Sequence, residues 1–374
     1  MNRIGILTFV RERNVGASLQ AYALQHFFRE ITGNQIHIEN IDYSFKSGEL
    51  EWPKLINKAI RGLKTLKGRI CNPNSFKAFT NFINDNIGLS EHKYTTKNII
   101  GLRDYYDAVI AGSDQVWNGD IADKSINDFL LNFCGRCLKF SYAASFGFES
   151  TFNKYKDVIL PQLKTYSAIS LREPIGKDEI RDYTGLVPAI NIDPTLLLSE
   201  NDYSRFLDRA YIPHERYIFF YAVMRHNNMI DFVSELQRQT KLPVVFCTAY
   251  KSADFSKLKD AVQVKGIHPK QFLSLVHSAD YVCTTSFHGT AFSIIFNKMF
   301  FVELKCSSGF NYRSENLIKN LGLAGRVIDG NKTDLDAGID YRAVLEKLQS
   351  LRDEARQYLE SIVDIVSERN AAQS

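Results

Sequence analysis

Short apolar runs that stop at Gly, Ser, Asp or Arg and hand over to helical patterns recur through this chain, in two sets. The first comprises residues 3–10, 35–42, 107–111, 139–144 and 168–171, with an apolar-faced helical stretch over 19–31. The second comprises 217–223, 243–247, 280–284 and 299–302, with helical patterns over 269–278 and 289–297. A run of this kind is a strand covered on both faces, and its alternation with helices predicts parallel sheets built from βαβ units. The class expected is therefore α/β, with two Rossmann-like, doubly wound domains. Such domains face a cleft and bind ligands at the carboxyl ends of their strands.

A length of 374 residues agrees with two domains. Pro188, Pro194 and Pro213 mark the connecting region. We place the N-terminal domain at 1–188 and the C-terminal domain at 189–374, the latter ending in a long amphipathic helix over about 340–369. Residues 44–98 carry no strong strand and read as a helical insertion. Within it, 54–70 joins Lys54, Lys58, Arg61, Lys64, Lys67 and Arg69 to an apolar side of Leu55, Ile56, Ile60 and Leu63. This pattern suits either a peripheral helix on an anionic membrane or a helix packed on its own domain with solvated lysines.

The formal net charge of +4 is slight and gives no reason to expect nucleic acid, although it suits anionic ligands. Met1-Asn2-Arg3-Ile4 leads directly into an apolar run, and no stretch reaches the ~18 apolar residues of a membrane span. A cytoplasmic protein with reduced thiols is expected. Cys247 and Cys283 lie in apolar runs and should be buried. Cys134-Gly135-Arg136-Cys137 has redox or half-zinc spacing, but nothing completes a metal site, so no metal is expected.

Five spots could carry chemistry. Ser286-Phe287-His288-Gly289-Thr290 follows an apolar run and opens an apolar helix, the setting in which free backbone N–H groups hold an anion. There His288 either meets a phosphate or exchanges a proton, or the loop is only a cap with a structural His. Arg172 ends the run 168–171, where its planar fork would suit a carboxylate or phosphate; a salt bridge, for instance to Glu173, is the alternative. Gly112-Ser113-Asp114-Gln115-Val116-Trp117-Asn118 sets a carboxylate, amides and an indole at a strand end, suited to a sugar or to a turn with a buried Trp. Asp193, before Pro194, is a base or a turn residue. The loop Asn14-Val15-Gly16-Ala17-Ser18-Leu19-Gln20 is a weak phosphate cradle with a single Gly.

Taken in order, these motifs resemble the polysaccharide pyruvyl transferase family. The resemblance begins at Asn14 to Gln20 and runs through Gly112 to Asn118, then Ser141-Tyr142-Ala143-Ala144-Ser145-Phe146-Gly147. It continues with Ser170-Leu171-Arg172-Glu173, Asp193-Pro194-Thr195 and Ser286-Phe287-His288-Gly289-Thr290-Ala291-Phe292. It departs at Val15, where the family has Tyr, and at Ser286-Phe287, where many relatives have Arg-Leu.

The resemblance implies a GT-B-like fold and phosphoenolpyruvate as co-substrate, with no resident cofactor. It implies a pyruvate ketal, 4,6-linked by analogy, on a hexose of a surface polysaccharide such as capsule or exopolysaccharide, or of its lipid-linked precursor. On this reading the C-terminal domain holds the donor through Ser286, His288, Gly289, Thr290 and Arg313, with Lys305 as second choice for the last cation and Arg172 joining the clamp. The acceptor sugar lies against the N-terminal domain at Asn14, Gly16, Gln20, Asp114, Gln115, Trp117 and Asn118. His288, Arg172, Asp193 and Asp114 are the catalytic candidates. A protein that modifies a lipid-linked sugar would work at the inner face of the plasma membrane. The alternatives are a GT-B glycosyltransferase using a sugar nucleotide and a non-catalytic sugar-binding protein on the same scaffold.

Overall fold

A computed structural model of the chain describes residues 2–33, 35–44, 73–223, 228–248, 255–306, 309–328 and 337–373. The chain forms two compact units. Residues Met1–Leu197 and Leu351–Ser374 make the first, and Leu198–Ser350 the second. The boundary falls nine residues beyond the one expected, and the end of the chain groups with the first unit instead of the second. Hydrogen bonds account for that grouping. Arg352 Nε donates to Leu196 O at 2.7 Å, the Tyr358 hydroxyl to Ser141 O at 2.8 Å, and Arg369 Nη1 to Asp107 O at 3.2 Å. All three come from one long helix, Tyr341–Gln373.

The first unit is built on five parallel strands: β1 Arg3–Leu7, β2 His37–Tyr43, β3 Leu89–Tyr94, β4 Ala108–Ala111 and β5 Leu138–Ser141. Their order is β3-β2-β1-β4-β5. Beyond β5, bridges at Phe140–Ala168 and Ala144–Leu171 lead to a parallel pair, β6 Ser170–Leu171 and β7 Ala189–Ile190. The second unit repeats the topology. Its strands are β8 Ile218–Ala222, β9 Val244–Thr248, β10 Val262–Gln263, β11 Tyr281–Thr284 and β12 Met299–Val302, in the order β10-β9-β8-β11-β12. In each sheet the order reverses at one place, between β1 and β4 and between β8 and β11. Doubly wound folds bind ligands outside the strand ends at this reversal.

Central strands are apolar because both faces are covered: Ile218-Phe219-Phe220-Tyr221-Ala222 is buried throughout. Of two elements inside the supposed insertion, the helix agrees with the sequence reading and the strand corrects it. The helix Pro73–Asn86 leads to β3, whose Leu-Ser-Glu-His-Lys-Tyr composition hides a strand because an edge strand exposes much of itself to water. The basic run 54–70 lies outside the described residues.

Cys247 and Cys283 are buried, as expected. Cys134 and Cys137 lie side by side. The C-x-x-C turn brings their Cα atoms to 5.6 Å, within disulfide reach. Among the described residues no group of three or more His, Cys, Asp or Glu could hold a metal ion, and no helix is long and apolar enough to cross a membrane.

Candidate active site

The loop after β4 meets the loop after β1 at the reversal of the first sheet. Gly112 has φ +121°, and a Cβ there would lie 2.3 Å from Tyr142 O, so only glycine fits. Asp114 has φ 68°, the left-handed region that Asp tolerates better than most residues. Gln20 ties the two loops together. Its amide nitrogen donates to Thr8 Oγ1 at 2.7 Å, and its oxygen accepts from Ser113 N at 3.3 Å. Gln20 is fully buried, so it braces the loops and offers no surface to a sugar.

Trp117 is also fully buried. Its indole donates to Phe129 O at 3.2 Å and packs on Phe146 and Tyr166. The stacking role expected for it against an acceptor is therefore corrected: Trp117 belongs to the core. Asn118 donates to Gln115 Oε1 at 2.8 Å and accepts from Asp120 N. Of these loop residues Gln115 keeps part of its surface exposed. Asn14 caps the first helix, Val15–Ile31, by accepting from Gly16 N at 2.9 Å and Ala17 N at 3.3 Å. The N–H groups of the weak cradle are thus occupied by the cap.

Arg172 gathers the carboxylates. Its Nη1 lies 2.6 Å from Asp193 Oδ2, Nη2 3.2 Å from Asp114 Oδ1, and Nε 3.7 Å from Glu173 Oε2. Only 2% of the side chain is exposed. Burial works to lower the Arg172 pKa, but Asp193, Asp114 and Glu173 raise it, and the net direction is upward. Asp193 is held from the other side as well, since Oδ1 accepts from the Thr195 amide at 3.0 Å and the Thr195 hydroxyl at 2.7 Å. Glu173 accepts from the Ser145 hydroxyl at 2.5 Å, and Ser145 Oγ accepts from Gly147 N. Tyr142 donates to Ile192 O, and burial followed by the Asp193 charge pushes its hydroxyl well above the usual range. Ser145 was missed as a contributor, although its motif stands out in the sequence.

In the second unit the loop after β11 leads into the helix Phe287–Ile295. Ser286 caps this helix, accepting from Gly289 N at 3.3 Å. Thr284 Oγ1 donates to Tyr221 O and accepts from Ser286 N, which fixes the loop to β8. A Cβ at Gly289 would lie 2.2 Å from Thr284 Oγ1, so glycine lets the helix close on the strand. Thr290 Oγ1 donates to Ser286 O. His288 is the second residue of the helix, 8% exposed. Asn311 joins this loop to the next helix, Tyr312–Leu321, by donating to Thr285 O at 3.4 Å and accepting from Ser314 N. Arg313 therefore starts a helix tethered to the His288 loop. Lys305 lies in the short strand Lys305–Cys306. A further helix start, at Met229–Thr240, already holds an internal anion: Glu303 accepts from Asn228 N at 3.0 Å and Met229 N at 3.1 Å.

Two five-stranded parallel sheets of one topology define a GT-B-like fold. Known structures agree on the fold. UDP-N-acetylglucosamine 2-epimerase from Rickettsia bellii superimposes with a TM-score of 0.55 at 12% identity, covering 99% of this chain and 98% of that one. The UDP-GlcNAc 2-epimerase from Methanocaldococcus jannaschii gives 0.50 at 12% identity, covering 98% and 100%. No curated protein matches the sequence. The polysaccharide pyruvyl transferase family profile matches residues 14–302, and the chain belongs to that family.

Proposed function

We propose that this protein forms a pyruvate ketal on a hexose of a surface polysaccharide or its lipid-linked precursor, with phosphoenolpyruvate as donor. The observation that carries this reading is the capped helix start Ser286–Thr290, with His288 on it, at the reversal of the second sheet in a chain of this family. A helix start of this kind suits phosphate, and His288 can donate to it. Arg313, at the tethered helix, is our choice of second anion contact. The donor's methylene carbon gains a proton, and C2 becomes electrophilic. One sugar hydroxyl bonds to C2 and gives up its proton. The second hydroxyl then gives up its proton and closes the ring as the C2–O bond to phosphate breaks and phosphate leaves. His288 is the candidate acid, and Asp114 or Asp193 the candidate base.

A sugar nucleotide is the competing donor, because the matching epimerases are UDP-sugar enzymes by name. Glu303 favours the first reading, since it places a carboxylate at one helix start where a phosphate could otherwise sit. The test is incubation with phosphoenolpyruvate and candidate glycans. Mass spectrometry should show a gain of pyruvate less water, with one phosphate released per ketal. Transfer from a UDP-sugar, with none from phosphoenolpyruvate, would reject the proposal.

A further inference from the structure

We propose that Glu303 is a specificity-determining residue that limits the second unit to a donor with one phosphate and turns nucleoside diphosphates away. This rests on the pyruvyl transfer proposed above. The order of the second sheet reverses between β8 and β11. The helix Met229–Thr240 follows β8, and the helix Phe287–Ile295 follows β11. Two helix starts therefore flank the reversal, and such starts suit phosphate. A nucleoside diphosphate has two adjacent phosphates to place, whereas phosphoenolpyruvate has one.

The two starts are prepared differently. Ser286 caps its own helix with a neutral hydroxyl. Asn228 has a side chain suited to cap the other helix, yet it makes no cap bond. Glu303 supplies the cap instead, from 75 residues further along the chain: Oε1 accepts from Asn228 N at 3.0 Å and Oε2 from Met229 N at 3.1 Å. Glu303 follows β12, and its own N–H donates to Thr284 O at 3.1 Å, which anchors it to the strand end that leads into the Ser286 loop. Glu303 is only 3% exposed, while Asn228 is exposed, so this helix start reaches solvent at its rim and is filled from within. A full negative charge on both N–H groups cancels that start's attraction for phosphate and repels a second phosphate reaching toward it. The start at Ser286 keeps its attraction, because a hydroxyl cap adds no charge.

The test is calorimetric titration of phosphoenolpyruvate and of UDP into wild type and Glu303→Ala. Alanine uncovers the two N–H groups. The affinity for UDP relative to phosphoenolpyruvate should rise at least about tenfold, the scale of one charge-assisted hydrogen bond. A smaller change in that ratio would overturn the inference. Should Glu303→Ala fail to fold by circular dichroism, Glu303→Gln decides. It fills the same space without the charge, so the ratio should rise at least about threefold, and a lesser change overturns the idea. Wild type that binds UDP as tightly as phosphoenolpyruvate would overturn it too. Wild type that binds UDP and no phosphoenolpyruvate would instead overturn the proposed function.

Discussion

At the carboxyl end of the first sheet the polar side chains point at one another. Gln20 braces two loops, Asn118 holds Gln115, and Arg172 is enclosed by Asp114, Asp193 and Glu173. At the carboxyl end of the second sheet the same topology produces a helix start, with Ser286 and Asn311 as caps and His288 and Arg313 beside them. The contrast teaches that one strand order supports two kinds of preparation. The first edge spends its polar groups on bracing its loops and on enclosing Arg172 with carboxylates. The second spends short polar side chains on capping and leaves helix starts suited to anions.

The largest effect should come from His288→Ala, which removes the acid candidate on the second edge. General acid–base catalysis contributes 10²–10⁴-fold, so transfer should fall by about 10³-fold with the far-UV spectrum unchanged. Retention of full activity would remove His288 from the site.

Trp117→Ala tests whether the first edge is frame or surface. Losing a buried indole should cost about 3–5 kcal/mol in urea unfolding. A stable variant with only a raised acceptor KM would restore the stacking role that the structure denies.

A pH effect should come from His268, at the start of the helix Pro269–Ser278. Burial, followed by the charge on Lys270, pushes its pKa from 6.5 down to about 4. The unfolded chain then binds a proton that the folded chain refuses. Stability from this residue should be fully present above pH 6.5, and should be lost as pH falls toward 4. His268→Asn should flatten that part of the stability profile, and an identical slope in both proteins would show that His268 has no share in it.

The smallest effect belongs to Ser286→Ala. Losing an N-cap costs about 1 kcal/mol. The shift in thermal midpoint should be modest, and a much larger one would mean that Ser286 supports more than the cap.

The fold was legible wherever strands are covered on both faces, as in β8 and β12. It was not legible at the edges, where β3 carries Ser90, Glu91, His92 and Lys93, and β10 is only Val262–Gln263, exposed. The His288 loop was readable because strand, loop and helix follow one another locally. The partners of Arg172 were only partly readable. Glu173 is adjacent, but Asp193 lies 21 residues away and Asp114 58, and only the sheet brings them to one place. Trp117 misled because an indole among amides has the composition of a sugar platform whether or not it is buried.

In the proposed function the second unit recognises the donor and the first holds the base. Isothermal titration of phosphoenolpyruvate into wild type, His288→Ala and Asp114→Asn tests it most directly. Binding should be lost or weakened at least about tenfold, or about 1.4 kcal/mol, in His288→Ala and unchanged in Asp114→Asn. Undiminished binding in His288→Ala, with loss in Asp114→Asn, would contradict it.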